Sequence, residues 1–332
     1  MSRALVLLVL AGCQGDAAPR PTGQAPRGEI HLGLGATAKL PGTIWFVEDG
    51  GLASLTDGKH TMIAKDIHRA PHQLPDGRLV AIASRAGKEQ LVLVGTDLAV
   101  TDLAPPAAHL DDPAIDPGGL WLVYATGERE LVRVDLATRA RRVLGPGIQP
   151  TVLGPTAIVF GSTHDGNPEL YRSDAMGGDV VRLTDHPGDD RAAVGSPDGT
   201  TIAFSSNRDG SPKVYLLAAS GGVPRRLTTR SDLMMHESRP VWSRDGNLIA
   251  YITERGPRRH VWLRDIASDN ETDMTPEAMR DDDPCFSPDG RWLLVSRTRG
   301  HDVDLWALPT AVGPAVRVTT ARTADRQPAW PR

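Results

Sequence analysis

The sequence predicts an all-β protein built as a β-propeller, most simply one of seven blades. A unit of short β-prone runs separated by Gly and Pro turns recurs along the chain. The last such run matches the first strand of a unit, but no second strand follows it. The turn glycines Gly199, Gly246 and Gly290 are 47 and 44 residues apart. A period of about 40–45 residues with four strands per unit is typical of propeller blades.

The clearest unit covers residues 190–228. Its first turn is Ser196-Pro197-Asp198-Gly199, in which Pro presets φ and Gly takes the positive-φ position. The remaining parts follow in order: a mostly apolar second strand at 201–205, an Asp-Gly hairpin turn at 209–210, a third strand at 214–217 and a polar outer strand at 225–228.

Seven runs match the second strand of this unit, beginning near residues 43, 78, 120, 156, 200, 247 and 291. First strands precede only six of them, at 70–74, 113–116, 149–153, 192–196, 239–243 and 284–287. The missing first strand lies at the other end, where Gln327–Trp330 matches Arg239–Trp242. We expect it to pair with the strands of residues 43–64, because closing the ring removes two exposed edges. Six blades is the alternative, if the weak units at 43–64 and 78–104 do not both form blades.

Several segments of the clearest unit also resemble a known family. The succession SPDG, TIAFSS, NRDG, VYLL, GG and RRLT is similar to the repeat of the TolB-type propellers, periplasmic proteins of the bacterial Tol system, over about residues 165–330. The resemblance implies a rigid scaffold that binds a partner, as the propeller of the family binds the peptidoglycan-associated lipoprotein. The chain departs from the family because residues 14–38 cannot supply its N-terminal α/β domain and because TolB is not normally a lipoprotein. A dedicated role in the Tol complex is therefore not expected.

The N-terminus predicts a lipoprotein signal. Residues 4–10 form an apolar run too short to span a bilayer, and Leu10-Ala11-Gly12-Cys13 fits the lipoprotein processing box, which makes Cys13 the expected lipidation site. An ordinary signal peptide with a chance cysteine is the alternative. Gln14 in place of Asp favours the outer membrane over the inner. The expected organisation is a signal peptide at 1–12, a lipidated Cys and flexible tether at 13–38, and a single propeller domain at 39–332.

Composition disfavours several function classes. A net charge of −4 gives no support for nucleic acid binding. The ten histidines are dispersed, so no metal or other cofactor is expected, and Cys285 is expected to be a buried thiol. No Gly-x-Ser-x-Gly elbow occurs, and a ring that closes at Trp330 leaves no room for the hydrolase domain of prolyl oligopeptidase-type enzymes. We expect a monomer.

Four acids occupy one position of the repeat, three residues before the first-strand proline or its replacement: Asp190, Glu237, Asp281 and Asp325. Because first strands line the channel of a propeller, these acids are candidates for a binding site at one channel mouth, where they would create a negative field. Alternatively, each acid satisfies backbone N–H groups at its own strand entry. The other blades have His68, Leu110 and Gly147 at this position, so an acidic ring would be one-sided.

Two hypotheses of different class follow. The first is a non-enzymatic, lipid-anchored envelope protein whose propeller binds a protein partner or a ligand. The alternative is an enzyme that acts on glycan at the channel mouth, as a lyase or hydrolase, with Asp190, Glu237, Asp281 and His236 as candidate groups. Carboxylates about 5–10 Å apart would support the enzyme, whereas well-separated acids that cap strands would count against it.

Overall fold

The computed structural model describes residues 40–228, 235–276, 280–311, 313–320 and 323–330. In these residues the protein is all-β, with no helix. The strands form seven four-stranded antiparallel blades, and the last two blades touch through a single parallel bridge between Arg259 and Arg280. The predictions of a propeller and of seven blades are both confirmed.

The strands follow one another in chain order, blade by blade. Blade one contains β1 (Thr43–Glu48), β2 (Gly51–Thr56) and β3 (Lys59–Ala64); blade two contains β4 (Ile67–Gln73), β5 (Leu79–Arg85), β6 (Lys88–Val94) and β7 (Val100–Asp102); blade three contains β8 (Ala114–Ile115), β9 (Trp121–Ala125), β10 (Glu130–Asp135) and β11 (Arg141–Pro146); blade four contains β12 (Ile148–Leu153), β13 (Ala157–Ser162), β14 (Glu169–Asp174) and β15 (Val181–Arg182). Blade five contains β16 (Asp190–Gly195), β17 (Thr201–Ser206), β18 (Lys213–Ala218) and β19 (Arg225–Arg226); blade six contains β20 (His236–Trp242), β21 (Leu248–Arg255), β22 (Arg258–Asp265) and β23 (Glu271–Asp273); blade seven contains β24 (Arg280–Phe286), β25 (Trp292–Arg299), β26 (Asp302–Pro309) and β27 (Val316–Arg317); β28 (Asp325–Ala329) completes blade one.

Blade one is built from both ends of the described chain. β28 pairs antiparallel with β1, so that Trp45 lies opposite Ala329 and Glu48 lies opposite Asp325. The indole of Trp330 also donates a hydrogen bond of 2.6 Å to the carbonyl of Pro41. The predicted closure of the ring by the C-terminal strand is therefore confirmed.

The hydrophobic core lies between the blades. In one cluster, Leu153 and Val159 of blade four pack with Ile202 and Phe204 of blade five, as expected when each blade must bury both faces. The tryptophans predicted to fill such positions are buried or partly buried within these clusters: Trp242, Trp262, Trp292, Trp306 and Trp330. Cys285 is partly buried against the cluster between blades seven and one, and its thiol forms no disulfide within the described ranges.

Most inner strands contain a β-bulge. In six blades one residue of the bulge takes a left-handed backbone with φ between 47° and 54°, at Ala70, Gln149, Ala192, Arg239, Asp283 and Gln327. The strand register shifts at the same places, as it must where an extra residue enters one strand. The six inner strands with such a residue begin earlier than predicted, at Asp190 instead of 192 in blade five, for example, whereas β8 begins at Ala114 instead of 113. The four acids singled out by the sequence thus lie inside strands.

Candidate functional site

The first residues of the seven inner strands lie at one end of the ring, which we call the entry end. Each blade is an antiparallel meander that runs outward from its inner strand, so β4, β8, β12, β16, β20, β24 and β28 all run in the same direction. Neighbouring inner strands contact each other from β8 through β28 to β4, and Arg69 of β4 bonds Asp112 beside β8, which completes the circle.

The structure places all four predicted acids at the entry end and buries them. Asp190, Glu237 and Asp281 are 0% exposed and Asp325 is 1% exposed. A threonine follows the outer strand of each preceding blade. Thr228 donates to Glu237, and the hydroxyls of Thr275 and Thr319 act as hydrogen-bond donors to Asp281 and Asp325. At the same place beside Asp190, the hydroxyl of Thr184 donates to Glu169. The acids therefore join one blade to the next. Ligand binding by these carboxylates stays a prediction, and their burial favours a structural role.

Asp190 is held by the side chain of Arg208. Nη2 of Arg208 donates to both carboxylate oxygens, at 3.0 and 2.8 Å. The same guanidinium lies over the ring of Tyr215, 4.8 Å from its centroid. Burial raises the pKa of Asp190, although hydrogen bonds from Ser206 and Arg208 oppose the rise.

Asp281 has a similar guanidinium partner on the neighbouring strand of its own blade. Arg297 donates from Nε at 2.9 Å to Oδ1 and from Nη2 at 2.7 Å to Oδ2. This fork geometry is the strong form of the arginine–carboxylate pair. Burial raises the pKa of Asp281, and the bonds and charge of Arg297 act in the opposite direction.

Glu237 is paired with a lysine of the preceding blade. Nζ of Lys213, on β18, lies 3.6 Å from Oε1 of Glu237, and both side chains are 0% exposed. Thr228 and the backbone N–H of Val214 donate to Oε2. A fully buried pair of this kind fixes blade five against blade six and presents no charge to the channel.

Asp325 differs from the other three because hydroxyl groups take the place of a cation. Thr323 donates to Oδ1 at 3.0 Å, and Thr319 donates a second hydrogen bond. Burial raises the pKa of Asp325 to about 7; the two hydroxyls lower it, while the charges of Glu48 and Asp304 raise it further. The protonation of this carboxyl group therefore changes near neutral pH.

The exposed side chains of the entry end include four arginines beside the buried acids. We call Arg191, Arg239, Arg280 and Arg326 the arginine arc; all four are exposed, and they lie on the consecutive inner strands β16, β20, β24 and β28. Three of them have acidic neighbours, with Arg191 at 3.1 Å from Asp189, Arg239 at 3.6 Å from Asp283 and Arg280 at 3.0 Å from Asp282. Arg326 has no ion-pair or hydrogen-bond partner in the described residues.

A belt of hydrogen bonds holds neighbouring inner strands together at this level. Gln149 accepts from the backbone N–H of Ala192 at 3.3 Å, Asp283 accepts from that of Gln327 at 3.2 Å, and Gln327 accepts from that of Ala70 at 3.0 Å. Each bond runs from a left-handed bulge residue of one blade to a side chain of the preceding blade. These bonds attach three of the strands that carry the arginine arc, β16, β24 and β28, to neighbouring inner strands.

The other side of the entry end contains a cluster centred on Glu89. Its carboxylate contacts His68 at 3.3 Å, Arg69 at 2.6 Å, His109 at 3.1 Å and the backbone N–H of Leu110 at 2.6 Å. Burial acts to raise the pKa of Glu89, but the bonds from Arg69 and Leu110 outweigh it, so the pKa is lowered. The sequence did not predict this cluster, because Glu89 lies on β6, a third strand, whereas the four predicted acids share a position at the start of the first strand.

The candidate groups for glycan chemistry also lie in the described residues. Within these residues, no three His, Cys, Asp or Glu side chains are placed to hold a metal ion. His236 is exposed at the start of β20, next to the buried Glu237. Across the same ranges, no helix is long and apolar enough to cross a membrane. Cys13, the predicted signal peptide and the tether lie outside the described residues.

Several solved structures share this architecture. TolB from Acinetobacter baumannii is 22% identical, covers 85% of this chain and 79% of its own, and superposes with a TM-score of 0.62. An oligogalacturonate lyase in complex with manganese is 16% identical over 85% of this chain and 86% of its own, with a TM-score of 0.59. The β-propeller domain of the trilobed protease from Pyrococcus furiosus, described as having an open velcro topology, is 9% identical over 88% and 96%, with a TM-score of 0.67. At these identities the likeness establishes the fold alone.

Sequence comparison adds the family. An uncharacterized protein of Agrobacterium fabrum is 32% identical over 84 residues, which is 25% of this chain and 29% of that relative. The match thus spans less than a third of the relative's length. The family model described as the TolB beta propeller domain matches residues 146–332, more than half of the sequence. The chain therefore belongs to the TolB beta propeller domain family.

Proposed function

We propose that this chain is a non-enzymatic binding propeller of the bacterial cell envelope, which holds a protein partner at its entry end. The observation that carries the proposal is the contrast between the four buried carboxylates and the exposed arginine arc. Anchoring through lipidated Cys13, an outer-membrane location and a monomeric state belong to the same proposal. Neither nucleic acid nor a cofactor has a part in it.

The chemistry of the arc indicates an acidic segment of the partner. A guanidinium recognises a carboxylate through two parallel N–H donors, and its charge persists at any physiological pH. The acidic neighbours of Arg191 and Arg239 are partly exposed, and such surface pairs contribute little. Arg191 and Arg239 can therefore release these acidic neighbours and bind carboxylates of a partner with little loss of free energy.

A glycan-directed enzyme is the alternative, supported by the fold likeness to the lyase. Its candidate groups Asp190, Glu237 and Asp281 would have to leave their buried cation partners to reach a substrate. In the described residues, which include every Phe, Tyr and Trp of the chain, no aromatic side chain is exposed as a platform for a sugar ring. These observations favour a protein partner.

Photo-crosslinking in living cells tests the proposal. A photoreactive residue in place of Arg239, which is 60% exposed, is expected to capture a discrete protein. Capture should fall at least tenfold when Arg191→Ala and Arg326→Ala are combined in the same chain. The matched control is a photoreactive residue in place of Val223, which is 93% exposed and lies in the β18–β19 turn of blade five. Capture of glycan at position 239, or shortening of envelope glycan by the purified protein, would instead establish the enzyme.

A further inference from the structure

The seam between β28 and β1 pairs two acidic residues. Glu48 lies directly opposite Asp325 in the strand register. At the matching place in blade seven, Asp281 lies opposite Arg297. Like charges directly opposite each other in an antiparallel pair are destabilising, so the strand pair that closes the ring contains an unfavourable contact that its neighbour lacks.

The surroundings of Asp325 contain no cation, among the described residues, to offset this contact. The side chain is 1% exposed, and its neighbours on its own segment and on the preceding outer-strand loop are the hydroxyls of Thr323 and Thr319. No lysine, arginine or histidine in those ranges forms an ion pair with it. An ionised carboxylate buried without a counter-charge is costly, and such a group takes up a proton instead.

A third carboxylate approaches from blade seven. Asp304 of β26 is 1% exposed, and its Oδ2 accepts from Nη2 of Arg317 on β27 at 2.6 Å. Oδ1 of Asp304 has no hydrogen-bond partner in the part of the chain that the structure describes, and its charge acts on Asp325. Asp302 adds a further negative charge near Asp304, and Arg299 adds a positive one.

On the blade-one side of the seam, Glu48 and Asp49 both have partners. Nε2 of His60 on β3 lies 2.7 Å from Oε2 of Glu48, with both side chains largely buried. Asp49 accepts from the backbone N–H of Ala324 at 2.9 Å. The partner of Glu48 is therefore His60, and among the described residues Asp325 has only hydroxyl partners for its side chain.

We propose that this seam is a pH-dependent latch: a protonated Asp325 holds β28 against β1, and its ionisation loosens that strand pair so that the C-terminal strand opens before the rest of the ring. β28 is suited to this role because its pairing with β1 is what closes the ring. The other blades are each a continuous stretch of chain.

The pH range follows from the pKa of Asp325. Its value in the closed ring is about 7, against 3.8 ordinarily, so the closed state binds the proton more tightly than an opened seam. Opening therefore becomes more favourable as pH rises from about 4 to about 7 and levels off above that. For a single proton the opening constant changes by about tenfold per pH unit within this range.

Hydrogen exchange of the full chain at pH 5.0 and pH 7.5 tests the latch. After correction for the intrinsic pH dependence of exchange, the amides of β1 and β28 are expected to open up to about 100-fold more often at pH 7.5. In Asp325→Asn, which keeps a neutral polar group at this place, the same amides should show no such change. The amides of β17 and β18 in blade five provide the internal reference, and Asp281→Asn is the control variant at the equivalent position.

The proposal is overturned if β1 and β28 of the unmodified chain follow β17 and β18 at both pH values, or if Asp325→Asn retains the pH dependence. Glu48→Gln provides a second variant should Asp325→Asn fail to fold. It removes the opposing charge and leaves the threonine bonds and the burial in place, so it should reduce the change. An unchanged pH response in Glu48→Gln would likewise count against the latch.

Discussion

Blade seven and the closing blade carry the same residue type at the same place in the repeat, yet the two positions behave differently. Asp281 faces Arg297, which donates two hydrogen bonds to it. Asp325 faces Glu48 and is bonded by threonine hydroxyls. Both carboxyl groups are buried and burial raises the pKa of both, but the guanidinium acts against the rise only in blade seven. The residue across the strand therefore acts in opposite directions at the two positions: Arg297 lowers the pKa of Asp281, whereas Glu48 raises that of Asp325 further.

Removing the cation should make blade seven resemble the closing blade. Arg297→Ala leaves Asp281 buried without a counter-charge, and breaking a buried pair in this way costs about 3–5 kcal/mol of unfolding free energy. Denaturant unfolding at pH 7.5 measures the loss. Arg299→Ala is the matched control: Arg299 ends the same strand and lies over the same ring, that of Trp306, at 4.5 Å compared with 4.7 Å for Arg297. Equal losses in the two variants would show that ring packing, and not the ion pair, is what matters.

Neutralising the acid should have the opposite effect in the closing blade. The raised pKa of Asp325 means that its ionisation opposes folding once the pH exceeds the ordinary value of 3.8, with the full penalty reached above about 7. Asp325→Asn is expected to raise the unfolding free energy by about 1–3 kcal/mol at pH 8. At pH 3.5 the gain should vanish, because the native carboxyl is protonated there in both states. A gain of the same size at both pH values would assign the effect to the shape of the side chain.

The blade count and the ring closure could be predicted because they depend on local, recurring chemistry. Turn residues such as Gly199, Gly246 and Gly290 have φ between 68° and 75°, and a backbone of this kind leaves its mark as a repeated glycine. The strand that ends near Trp330 is followed by no second strand, which predicted its pairing with the N-terminal blade. The side chains that pair with the acids follow no repeated pattern in the sequence. Arg297 follows Asp281 by 16 residues, whereas Lys213 precedes Glu237 by 24, and neither spacing repeats in the other blades.

The exposed part of the candidate site was missed for a related reason. Successive residues of a strand point to opposite sides, so burial of Asp190 and Asp325 places the next residues, Arg191 and Arg326, on another side, where they are exposed. This alternation predicts exposed arginines only if the strand is known to begin at the acid. The sequence placed the strand start later because the left-handed bulge at Ala192 and Gln327 is not visible as a glycine.

Introducing a cation at the seam is the sharpest test of the comparison, although its expected effect is the smallest. Glu48 occupies the register position of Arg297, so Glu48→Arg should supply Asp325 with the partner that Asp281 has. A gain of about 1 kcal/mol in unfolding free energy is expected at pH 8, together with loss of the pH dependence between pH 5 and 8. Glu48→Gln separates the two causes, because it relieves the repulsion without adding a partner, and it should recover only part of the gain. If both variants gave the same result, the repulsion from Glu48 alone would account for the behaviour of the closing blade, and an arginine across the strand would not be what sets blade seven apart.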